Sequence, residues 1–94
     1  MMKFQLGKLV VTHAVADRMQ ADKMFEKFVY SSLGRYIDGD WGPMDDRDKE
    51  LNDNAVKTGE SRILAAYVYQ TDTTIWIITE WDRSVTTILF PSDY

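Results

Sequence analysis

The pattern of apolar and polar positions changes period along the chain, and each change marks an element. Residues 8–13 are mostly β-branched or apolar (Leu9, Val10, Val11, Thr12) and follow Gly7, which predicts a short strand. Residues 14–20 predict a brief helical turn. Over residues 22–36 the apolar positions Phe25, Phe28, Val29 and Leu33, with Met24 alongside, repeat at the i, i+3, i+4 spacing of an amphipathic helix, and Asp22 is placed to cap its start. Asp38-Gly39-Asp40-Trp41-Gly42-Pro43 then favours turns at almost every position and is the clearest break in the pattern. Pro43 predicts the first position of another helix, with Asp45, Asp46 and Asp48 in the first turn, where the helix dipole favours negative charge, and Gly59 predicts its end. Met44, Leu51, Ala55 and Val56 form its narrow apolar stripe, so this helix is predicted to lie on the surface and to show most of its circumference to water or to a partner.

After Gly59 the texture is that of strands. Residues 62–69, 75–81 and 85–90 are rich in Ile, Val, Thr, Tyr and Trp, and the short polar breaks between them suit antiparallel hairpins, since a parallel connection needs a dozen residues or more. The pattern predicts an α+β fold in a single domain, residues 1–94, with two to three N-terminal helices packed on a three- to four-stranded antiparallel sheet, the fourth strand being the first in the chain. In the middle run Trp76, Ile78 and Glu80 alternate with Ile75, Ile77, Thr79 and Trp81, so both faces carry bulky apolar groups. One face should hold the helices. The other is either covered by remaining segments or left as a patch that favours a homodimer or another partner.

Composition narrows the function classes. A chain of 94 residues, 45% of them hydrophobic, leaves no room for a second domain and argues against disorder. With no cysteine there is no disulfide framework, thiolate metal site or thiol nucleophile. The longest apolar run, residues 63–69, is far too short to cross a bilayer and the N-terminus has no signal-peptide core, so a soluble, cytoplasmic protein without membrane association is expected.

Eleven bases and fifteen acids give a net charge of −4, unevenly placed. Residues 1–35 carry six bases and three acids, a net of +3; residues 36–53 carry seven acids (Asp38, Asp40, Asp45, Asp46, Asp48, Glu50, Asp53) and two bases (Arg47, Lys49), a net of −5. Such a chain is ill-suited to a phosphate backbone, so no direct nucleic-acid binding is expected, and well suited to a basic protein surface. The acidic segment is either a solvated helix face or a partner-binding surface comprising Asp38, Asp40, Trp41, Asp45, Asp46, Asp48, Glu50 and Asp53.

The residues also bear on catalysis and metal binding. Counted from Asp38, a calcium loop would need glycine where Pro43 stands and glutamate where Lys49 stands, so turn and cap roles account for these aspartates and no metal site is expected. No phosphate-binding glycine loop or dinucleotide fingerprint occurs, and no cofactor is expected. Glu80 as base, His13 as acid and Arg62 or Arg83 at a phosphate would suit a small ribonuclease or toxin, although the acidic charge repels RNA and Arg83 can instead pair with Asp82 or Glu80 in a hairpin. Trp41 and Trp81 are either core plugs or exposed interface anchors.

The start Met2-Lys3-Phe4-Gln5-Leu6-Gly7-Lys8-Leu9-Val10, the central Gly39-Asp40-Trp41-Gly42, the turn Lys57-Thr58-Gly59-Glu60 and the tail from Ile75-Trp76-Ile77-Ile78-Thr79-Glu80 through Asp82-Arg83-Ser84 and Thr86-Thr87-Ile88-Leu89 to Pro91 and Tyr94 resemble the small "plasmid-related" proteins of bacterial mobile genetic elements. The tail is the most specific part; Pro43 after the central turn and the charged segment 17–27 depart from the pattern. The resemblance implies no reaction and no catalytic residue. It implies a setting in which small acidic proteins counter host defence, as anti-CRISPR and anti-restriction proteins do. The sequence thus predicts a non-enzymatic inhibitor of a host defence protein or ribonucleoprotein with a basic groove. A small nuclease or toxin and an accessory factor of plasmid transfer or maintenance are the alternatives.

Overall fold

The computed structural model describes residues 3–94, so Met2 of the resemblance lies outside it. The elements run β1 (Lys8–Val11), α1 (His13–Ala21), α2 (Lys23–Ile37), α3 (Asp46–Thr58), β2 (Ile63–Tyr69), β3 (Thr73–Thr79) and β4 (Val85–Leu89), with a short 3-10 turn over Pro91–Asp93. The fold is α+β, with a four-stranded sheet in the order β1-β4-β3-β2. β2, β3 and β4 form the expected antiparallel meander. β1 joins it parallel to β4, from Lys8 beside Val85 to Val11 beside Ile88, so the sheet is mixed and not wholly antiparallel. A parallel pair needs a long crossover, and the three helices and the meander between β1 and β4 supply it.

The segment after β1 is a nine-residue helix and not a brief turn. Thr12 caps it by accepting from the Val15 N–H, and Val15 and Met19 are buried at i, i+4 spacing. Asp22 closes one helix and opens the next: its N–H donates to the Arg18 carbonyl while its carboxylate accepts from the Met24 and Phe25 N–H groups at 3.1 Å. The inner line of α2 is Phe25, Val29, Ser32 and Tyr36, while Phe28 and Leu33 are half-buried and Met24 is exposed. The buried stripe therefore runs further towards the C-terminal end of the helix than the apolar residues alone predict, because Tyr36 brings its ring and hydroxyl to the sheet.

There the hydroxyl joins a buried chain. Tyr36 Oη lies 2.8 Å from Thr79 Oγ1 and 3.2 Å from the Ile63 carbonyl, Thr79 Oγ1 lies 2.8 Å from Thr86 Oγ1, and Thr86 donates to the Leu6 carbonyl at 2.7 Å. Three hydroxyl protons serve four contacts. The Thr86 proton is committed to Leu6, so Thr79 donates to Thr86 and Tyr36 to Thr79, leaving the longer contact to Ile63 as the weak branch. The chain ties α2, β3, β4 and the N-terminal segment into one core whose apolar members include Phe25, Val29, Trp41, Ile75, Ile77 and Ile88. Burial raises the Tyr36 hydroxyl well above the usual tyrosine range.

The opposite sheet face carries Ala66, Val68, Trp76, Ile78 and Leu89. It is covered in part: the Tyr94 ring meets Trp76 edge-on at 5.7 Å and the Tyr94 hydroxyl accepts a hydrogen bond from Arg62, while Val68 remains 45% exposed.

Candidate functional site

α3 starts three residues later than Pro43 predicts. Asp45 is the cap, accepting from the Asp48 N–H at 2.8 Å, and Asp46 is the first helical residue. Pro43 stands before the cap, in a tight turn closed by the Met44 N–H on the Gly42 carbonyl. Lacking an N–H to donate, proline fits there, while the aspartate side chain satisfies the helix end better than Gly42 or Met44 can. At the other end Gly59 takes a left-handed conformation, and its N–H closes on the Ala55 carbonyl.

One side of α3 is spent on the edge of the sheet. The Asn52 side-chain amide donates to the Leu64 carbonyl at 2.8 Å and its oxygen accepts from the Leu64 N–H at 3.3 Å, so it occupies the outer edge of β2 as a neighbouring strand would. Next along that edge lies Gly42, with φ +79°, and a Cβ there would stand 2.5 Å from the Ala66 carbonyl oxygen. Only glycine permits so close an approach in that conformation. A hollow of about 250 Å³ remains between helix and edge, lined by Met44, Asp48, Leu51, Asn52, Arg62 and Leu64. Leu51 is 59% exposed at its rim.

The eight expected contact residues separate into two groups. Asp40 lies in a two-pronged pair with Arg35, at 2.8 and 3.2 Å, which holds its carboxyl below the usual carboxylate range. Asp45 is the cap, and Asp53 accepts the Trp41 indole N–H at 2.9 Å. Trp41 is 3% exposed, packed on Phe4 and Tyr36, and is a core residue, which corrects its expected place on the contact surface. Its apolar ring gains most by burial, and Asp53 satisfies its single donor. Asp38 ends α2. Asp46, Asp48 and Glu50 are exposed and form no ion pair among the described residues. Asp46 and Glu50, four residues apart, share the outward face, while Asp48 turns towards the hollow.

The residues of the nuclease alternative are not brought together. The Glu80 N–H bonds the Val85 carbonyl at the start of β4, whereas the Thr12 N–H beside His13 bonds that of Ile88, about 10 Å of strand away. Arg62 is held by Tyr94. Arg83 pairs with neither Asp82 nor Glu80 through their carboxylates; its guanidinium donates to the carbonyls of Ala55 (2.7 Å), Ser61 (2.6 Å), Glu80 (3.2 Å) and Trp81 (3.1 Å). It thereby fastens the β3–β4 turn to the end of α3. Among the described residues no three acidic or histidine side chains converge as metal ligands would.

Arg62 and the clamp of Arg83 were not legible as parts of this region, and Leu51, read as part of the apolar stripe of α3, lies exposed at the rim of the hollow instead. The available signal was Leu51, an apolar residue on a polar helix, set about 100° around the axis from Asn52. No helix among the described residues is long and apolar enough to cross a membrane. Compared with known proteins, the chain matches no family model, no curated protein and no solved structure.

Proposed function

We propose that this chain is a non-enzymatic binding protein whose α3 face docks on a basic groove of a host nucleic-acid-targeting defence complex and inhibits it. The observation that carries the reading is the triad Asp46, Asp48 and Glu50, exposed and without ion pairs among the described residues, beside a hollow edged by the exposed Leu51. Carboxylates whose charge is not neutralised within the molecule attract cations at a distance, and an apolar centre beside a charged rim is the usual anatomy of a protein interface. The other face of α3 is held by Asn52 and Ala55, so the acids sit on a fixed surface and little ordering is needed on binding. The defence setting comes from the resemblance of the central turn and tail to proteins of mobile genetic elements.

The test is affinity for defence effectors, CRISPR and restriction complexes, purified from a bacterial host and titrated at low and high salt. The wild type is expected to bind with steep salt dependence. Asp46→Asn/Asp48→Asn/Glu50→Gln, which leaves the Asp45 cap in place, is expected to lose at least tenfold in affinity and most of the salt slope. Equal affinity and slope for the two proteins would remove α3 as the contact surface, and absence of binding to any effector would remove the defence reading.

A further inference from the structure

Trp81 is the one tryptophan with most of its surface in water, 64% exposed against 3% for Trp41. It lies in the turn between β3 and β4, flanked in sequence by Glu80 and Asp82, both exposed. The turn is held rigidly. The Arg83 N–H donates to the Glu80 carbonyl at 2.9 Å and the Glu80 N–H to the Val85 carbonyl at 3.0 Å, while the Arg83 guanidinium reaches the Trp81 carbonyl itself and, across the molecule, those of Ser61 and Ala55. Asp82 accepts from both the N–H and the hydroxyl of Ser84, at 3.1 and 2.6 Å. These bonds fix the backbone on either side of an indole that is itself left outside.

We propose that the β3–β4 turn is a preformed recognition element in which Trp81 receives an arginine side chain of a partner protein, with Glu80 and Asp82 balancing its charge. A flat, weakly hydrated guanidinium stacks on an indole face better than a compact ammonium does, and the two exposed acids Glu80 and Asp82, against the one base Arg83 whose guanidinium is turned onto backbone carbonyls, leave the turn net negative, an attraction that an uncharged aromatic partner would not feel. The fixed backbone means that binding orders little besides the Trp81 side chain, the condition under which an exposed tryptophan becomes a strong anchor. This inference shares with the proposed function a basic partner but stands on a different element, and the two fail separately.

The experiment is an NMR titration of the full chain with a decapeptide of alternating Arg and Gly, following the three indole N–H signals and the α3 amides. The Trp81 signal, identified through Trp81→Phe, is expected to shift and saturate, with the Trp41 and Trp76 signals unmoved. Trp81→Ala is expected to weaken the peptide about threefold with an unchanged melting temperature, and Glu80→Gln to weaken it less. A Lys/Gly peptide of equal charge is expected to shift the Trp81 signal less. Shifts confined to α3 would overturn the inference and leave the proposed surface standing; saturating shifts at Trp81 and its turn would support the inference and leave the α3 surface to its own test against defence effectors. A fall of several degrees in the melting temperature of Trp81→Ala would also overturn it, by making Trp81 a packing residue.

Discussion

Replacing Arg83 by lysine keeps the charge and removes the fork. The guanidinium holds the Ala55 carbonyl at 2.7 Å and the Ser61 carbonyl at 2.6 Å while also reaching two carbonyls of its own turn, and one ammonium on a flexible stem cannot reproduce that set. Hydrogen bonds to a charged group contribute about 1.5–3 kcal/mol each when protected from water. Arg83 is half-buried, so the low end applies, and lysine is expected to recover one of the two short contacts. The expected loss is about 2 kcal/mol, or roughly 10 °C in melting temperature for a domain of this size. Thermal and urea unfolding followed by far-ultraviolet circular dichroism measure it. Arg83→Asn supplies the control, because asparagine tolerates the φ of +61° at this position while removing every guanidinium contact, and it is expected to cost at least as much as lysine. A loss below about 0.5 kcal/mol in both variants would show that the clamp contributes nothing and would refute the account of the turn as rigidly held.

Three further outcomes are expected. Gly42→Ala, forced into a left-handed conformation with its Cβ against the Ala66 oxygen, should destabilise by about 3 kcal/mol in the same unfolding assay; a change under about 1 kcal/mol would mean that the loop yields easily. Thr86→Val leaves the Leu6 carbonyl without its donor and should cost about 2 kcal/mol, whereas Thr79→Val, after which Tyr36 turns to Ile63, should cost about 1 kcal/mol; the reverse ranking would contradict the proton assignment. Burial raises both Tyr36 and Tyr67 above the usual tyrosine range. Both stay neutral in the folded chain while the unfolded chain ionises above about pH 10, so their contribution to stability should be constant below that pH and decline beyond it, with Tyr36→Phe/Tyr67→Phe declining less steeply.

The elements legible in the sequence were those with a strong period or an unambiguous stop. Asp22 as a cap, Gly59 as a terminator and the three-strand meander all follow from local chemistry. The direction of β1 was not legible, because a strand as short as Lys8-Leu9-Val10-Val11 fits either side of an edge strand equally well and only the long-range pairing with β4 decides. Pro43 misled for a related reason: proline suits both the first turn of a helix and the turn before it, and Asp45 won the cap because its carboxylate reaches the Asp48 N–H. The acidic character of α3 was visible residue by residue. Which carboxylates were already engaged depended on partners distant in sequence, as with Trp41 and Asp53, or on a return of the chain, as with Arg35 and Asp40.

The Asn52 amide leaves the sheet with unequal borders. At β2 the backbone groups of Leu64 are satisfied by a side chain and Ala66 is shielded by Gly42, while the outer border of β1 has no strand beside it among the described residues. A sheet with two bare borders can add copies of itself without limit, and such growth ends in fibres. With the Leu64–Ala66 stretch of one border occupied, strand addition is directed to the other, at β1. One further strand or one other copy meeting the sheet at β1 would use the accessible border, and the blocked stretch at β2 works against continued growth.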